Sequence, residues 1–141
     1  MRSILKKFTV AGLTVGISAC GLFSSPGPEN TAMHFVHGMA KGDIQKVDKL
    51  VYWGPEVQNP AQPYALRLEE AKVNGYVMAT YQRLQAEGGL KEAKIVKNQR
   101  TMIHGVEHAT VIISLIPEKG SPRNTTLQLV RRDGKWFVSV D

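Results

Sequence analysis

The hydrophobic pattern changes its period partway along the chain. Ala32, Phe35, Val36, Met39 and Ala40 recur at i, i+3, i+4, i+7 and i+8, the single apolar stripe of an amphipathic helix. That helix is expected to begin near Asn30 or Thr31 and to stop at Gly42, since glycine readily takes the left-handed closing conformation. Asp43 is placed to cap a second, short helix with Ile44, Val47, Leu50 and Val51 on its buried face. Gly54, Pro55, Asn59, Pro60 and Pro63 mark a loop. A long helix follows from Tyr64 to Ala86, ended by Gly88-Gly89. It carries two apolar stripes, one of Leu66, Val73, Val77, Tyr81 and Leu84, the other of Tyr64, Leu68, Ala71 and Met78. Such a helix is expected to lie in a curved partner rather than on a flat one.

Beyond Leu90 the period is two. Ala109, Val111, Ile113 and Leu115 alternate with His108, Thr110, Ile112 and Ser114, a strand with one buried face. Lys91 to Ile103 reads as its antiparallel partner, turning at His104-Gly105. Asp133-Gly134 is the strongest hairpin signal in the chain. A two-residue turn there pairs Arg132 with Lys135, Arg131 with Trp136, Leu129 with Val138 and Leu127 with Val140, which lines up the apolar residues on one face. It also sets Arg131 beside Trp136, within stacking reach. The expected fold class is α+β, with three N-terminal helices packed in a curved four-stranded antiparallel sheet.

The N-terminal segment follows different rules. Arg2, Lys6 and Lys7 precede an uncharged run from Phe8 to Ala19, which is too short to span a hydrocarbon core of about 30 Å as a helix. A basic region, an apolar run and small residues before a cut point make a secretory signal. Ile17-Ser18-Ala19-Cys20 resembles the lipobox of bacterial lipoproteins. The resemblance implies removal of residues 1–19 and acylation of Cys20, palmitate included. Gly21 stands where those lipoproteins carry the aspartate associated with inner-membrane retention. The expectation is therefore an outer-membrane lipoprotein facing the periplasm. Residues 20–29 form a Gly, Ser and Pro tether, leaving 30–141 as one domain. Loss of Arg2, Lys6 and Lys7 leaves 15 basic against 12 acidic residues, a net of +3 in place of +6. With the basic residues scattered, this is not the charge of a nucleic-acid binder.

The element order, the segment Asn30-Thr-Ala-Met-His-Phe-Val-His-Gly-Met-Ala-Lys-Gly-Asp43 and the closing Asp133-Gly-Lys-Trp-Phe-Val138 resemble the nuclear transport factor 2-like, or cystatin-like, superfamily. More narrowly, they resemble its small bacterial lipoproteins of uncharacterised function. These motifs carry a fold and no chemistry, because the superfamily hosts enzymes, binders and scaffolds.

Chemistry is sparse in the sequence. His34 and His37 share a helix face, and His104 and His108 flank a turn, but no cysteine joins them and no third ligand is placed by spacing. No metal and no cofactor is expected. Isomerases of this fold keep an acid in the apolar cone. Here the alternating strand has no acid between its ends, and Asp48, Glu69 and Glu70 read as solvated helix residues. Asn98, Arg100 and Arg131 are candidates for an inner surface, with a bulge able to reverse the first two. Trp53 is a candidate partner contact or a plug for the open end of the cone. The reading that follows is a non-catalytic, lipid-anchored domain that binds a protein partner or an apolar small molecule. Its alternative is an enzyme of the ketosteroid-isomerase type using the cone pocket.

Overall fold

The computed structural model describes residues 27–54, 61 and 63–140. Cys20, the signal segment, most of the tether and the 55–60 part of the loop lie outside them. The first helix, α1 (Pro28–Lys41), begins slightly earlier than its apolar stripe, with Gly27 at the N-cap and Pro28 in the first turn. Proline fits there because its missing N–H has no helical partner to lose. Gly42 ends the helix at φ 68°, and the Gly42 and Asp43 N–H groups close back on the Met39 and Gly38 carbonyls. A Cβ on Gly42 would meet the Tyr81 ring at 3.2 Å, so the turn needs glycine for both its dihedral and its space. The side chain of Asp43 accepts from the Lys46 N–H at 3.1 Å and caps α2 (Ile44–Asp48).

Next comes β1 (Val51–Tyr52), then α3 (Pro63–Ala86), β2 (Leu90–Ile103), β3 (Val106–Pro117), β4 (Arg123–Arg132) and β5 (Lys135–Ser139). The sheet has five strands in the order β1-β5-β4-β3-β2, which corrects the expected four. The added strand pairs parallel to β5, Val51 beside Val138 and Tyr52 beside Ser139. The Val138 N–H also reaches the Leu50 carbonyl at 2.7 Å. Val51 therefore serves a strand and not the face of α2. Both predicted hairpin turns have positive φ at their two central residues, His104-Gly105 and Asp133-Gly134, the dihedrals of a type I′ turn.

The core lies where α1 and one stripe of α3 meet the inner face of β3, β4 and β5. Phe35, Val36, Met39, Val73, Val77, Val111, Ile113, Leu129 and Val138 are all buried there. Only one of the two α3 stripes is used. Tyr64 and Leu68 of the other are exposed, as is Tyr76, so α3 packs along one side, chiefly against α1 and α2, instead of sinking into the sheet.

The long strand β2 carries two register shifts, at Leu90/Glu92 and Ile95/Lys97. Each inserts one residue, Lys91 and Val96, with no partner on β3. Each insertion exchanges the faces of everything beyond it. Ala93 and Ile95 pair with Leu115 and Ile113, and Asn98 and Arg100 pair with Val111 and Ala109. All these β3 partners are buried, so the β2 residues lie on the inner side. The two bulges together take Glu92 and Lys94 off that face and return Asn98 and Arg100 to it.

Candidate functional site

Beside α3, where β5 ends, a cleft of about 290 Å³ opens on the sheet. Phe35, Val73, Leu127 and Val138 give it apolar walls, and Glu69, Lys72 and Tyr76 of α3 stand along its lip. Glu69 and Lys72 share a salt bridge of 2.9 Å, with the Glu69 side chain 23% and the Lys72 side chain 72% exposed. The spacing is i, i+3, so one helix face presents both. The Tyr76 hydroxyl bonds the Thr125 hydroxyl at 2.8 Å and ties the helix to β4. The cleft therefore combines an apolar body with one half-buried acidic side chain at its lip, the composition expected of a ligand site.

The residues singled out from sequence lie elsewhere and do not converge. Trp53 is half-buried and packs on the core. Asn98 is exposed on β2. Arg100 sits 5.7 Å over the Trp136 ring and 3.6 Å from Glu29. Arg131 is opposite Trp136 in register, yet its guanidinium pairs with Glu107 at 2.9 Å. The stacking expected of Arg131 is thus supplied by Arg100, because an ion pair on the neighbouring strand captures Arg131. Met102, Glu107 and Arg131 line a shallower depression beside the two hairpin turns. Among the described residues, no three His, Cys, Asp or Glu side chains are grouped to hold a metal, and no helix is long and apolar enough to cross a membrane.

A third polar cluster joins α2 to α3. Burial raises the pKa of Asp48 above the ordinary carboxylate value, and the charge of Glu70 adds to the shift. Turned with its nitrogen toward Asp48, the Asn74 amide donates to Oδ1 at 3.2 Å and to the Glu70 carbonyl at 3.3 Å.

No family model matches this chain, and no curated protein matches it. Among solved structures, it is similar to the crystal structure of a protein named "Putative NTF2-like transpeptidase" from Campylobacter jejuni. The TM-score is 0.69 at 17% identity, over 82% of this chain and 100% of that one. The fold is accordingly nuclear transport factor 2-like: α+β, with helices packed against a curved, largely antiparallel sheet. This comparison corrects the expectation of a non-catalytic domain, since a protein of the same fold, matched over its whole length, carries an enzyme's name.

Proposed function

We propose that the domain is an acid–base enzyme that binds an uncharged, partly apolar substrate in the α3 cleft and moves a proton through Glu69. The observation behind this reading is the placement of the half-buried Glu69 side chain on the lip of an apolar cleft. Phe35, Val73 and Val138 hold the substrate's apolar part. A substrate seated there brings its acidic proton to Glu69, and a positioned carboxylate within hydrogen-bond reach can act as a general base. Lys72 holds Glu69 in place before binding and, on its exposed stem, is free to swing aside. The isomerases of this fold work by proton transfer of this kind, and the neighbour's enzymatic name also favours catalysis over scaffolding.

The test is proton–deuterium exchange, followed by NMR, on a panel of uncharged carbon acids. Exchange faster than buffer, lost by about 10²-fold or more in Glu69→Gln with an unchanged melting temperature, is the expected result, in line with the usual worth of a general base. Equal exchange by wild type and variant overturns the role of Glu69.

The N-terminal pattern supports a location for this activity. Cys20 is proposed to carry the acyl chains that hold the domain at the outer membrane, facing the periplasm. Two or more chains bind a membrane firmly where one binds reversibly. Cys20→Ala should leave the protein unprocessed or release it from the membrane fraction, and unchanged processing with unchanged fractionation would refute the anchor.

A further inference from the structure

The strand β4 is paired unequally on its two sides. Against β3 its pairing runs from His108↔Val130 to Leu115↔Arg123. Against β5 it stops at Leu129↔Val138. From Arg123 to Gln128, β4 thus has a strand on one side and, among the described residues, no strand on the other. Every second residue of a strand turns its N–H and C=O to the same edge. Over these six residues, about 20 Å of backbone, the edge offers an alternating row of donors and acceptors.

That edge opens into the cleft. Thr126, Leu127 and Gln128 line it together with the end of β5. Tyr76 roofs it, held by the bond to Thr125. On α3, Tyr76, Lys72, Leu68 and Tyr64 follow one another at four-residue spacing, so they share one helix face. Its Tyr64, Leu68 and Tyr76 are exposed, and it continues the cleft's wall. The local cations are already matched, Lys72 to Glu69 and Arg123 to Glu87. A charged ligand would have to break one of these pairs.

We infer that the cleft binds an uncharged peptide in extended form, added as a strand to the free edge of β4 with alternate apolar side chains under α3. An unpaired backbone edge recognises another backbone, and the neighbouring apolar walls read every second side chain. The inference rests on the reading of this cleft as the substrate site, and it names the substrate class.

The probe is a capped hexapeptide alternating valine and serine, titrated into the ¹⁵N-labelled mature chain. Two further versions carry N-methyl groups on alternate amides, one set per edge. Binding is expected to shift and protect amides within Arg123–Gln128. One N-methylated version should bind at least 10-fold more weakly, and the other about as well as the parent. Tyr76→Ala should weaken binding similarly, whereas Tyr76→Phe retains most of it. Peptide binding without turnover would remove the enzyme reading alone. Several results overturn the inference while leaving Glu69 to its own test. These are equal loss for both N-methylated peptides, shifts confined to β2, no binding at millimolar peptide, or an edge already protected by the chain itself.

Discussion

Among the described residues, two long stretches of open strand edge are built in opposite ways. One belongs to β2, an outermost strand fourteen residues long. It carries Lys91, Glu92, Lys94, Lys97 and Arg100 and is broken by two bulges. Charges and bulges are the usual means of keeping an edge from pairing with another chain. The other edge, Arg123–Gln128 of β4, is free of bulges against β3 and is mostly Asn, Thr, Leu and Gln. It also sits under a helix instead of projecting past the core. One edge is defended and the other is left receptive, which teaches that being unpaired is not by itself a sign of a site. What matters is whether the unpaired row is also guarded.

Five variants break or sharpen this contrast. The strand beneath the receptive edge is part of the core, and Leu129 has 0% of its surface exposed. Leu129→Ala should cost about 2–5 kcal/mol by lost burial and cavity formation. Ile95→Ala on β2, where the side chain is 40% exposed, should cost about 1 kcal/mol or less. Chemical denaturation of both variants measures the difference, and equal midpoints would erase the distinction between the two strands. Next in size is the loss of the β2 guard. The double change Lys94→Val with Lys97→Val should drive self-association that sedimentation detects at concentrations where the parent chain stays unchanged.

A smaller effect concerns the clip that holds α2 to α3 on the receptive side. The folded pKa of Asp48 is raised, so the folded state binds its proton more readily than the unfolded chain does. Asp48 therefore opposes folding above its folded pKa, and that opposition fades as pH falls through it. Asp48→Asn keeps an acceptor for Asn74 and should remove this component. The stability gap between variant and wild type should shrink on acidification, as thermal melts across pH 4–7 would show; a constant gap would exclude the linkage. The smallest effect belongs to the β2 side. Glu107→Gln breaks an ion pair whose side chains are both partly exposed, and such pairs contribute about 0.2–1 kcal/mol. Melts at low and high salt would register it, and a larger loss would mean that the hairpin ends are more tightly held than their exposure implies.

Much of the fold was legible because its signals are local. The stripe Ala32, Phe35, Val36, Met39 repeats often enough to reveal its period, and Asp133-Gly134 dictates a turn within two residues. The strand Val51–Tyr52 was not legible, since two residues show no alternation and their pairing to β5 is a long-range event. The bulges at Lys91 and Val96 leave no mark in composition. The site was hidden for a related reason. Glu69 falls off the buried stripe of α3 and resembles any solvated carboxylate. It acquires an apolar cleft only because β5 stops pairing with β4 at Val138, a length that no motif encodes. The one available hint was the four-residue spacing of Tyr64, Leu68 and Tyr76, which the sequence displays without saying which side of the helix stays open.

The paired bulges of β2 make that strand behave like a text with two compensating frameshifts. Between Lys91 and Val96 the pattern is read one step out of phase, and beyond Val96 it is back in phase. Pairing the strand regularly through either position, at unchanged length, would displace everything on one side of it: Gln99 would be presented where Arg100 now meets Trp136 and Glu29, or Glu92 where Ala93 now faces Leu115. Flattening both bulges with every residue kept would restore the phase at the far end while presenting Glu92 and Lys94 to the core. Deleting Lys91 or Val96 itself removes a bulge and leaves every remaining pair in register, so a lineage can shorten this strand at those two positions without rewriting the residues between them.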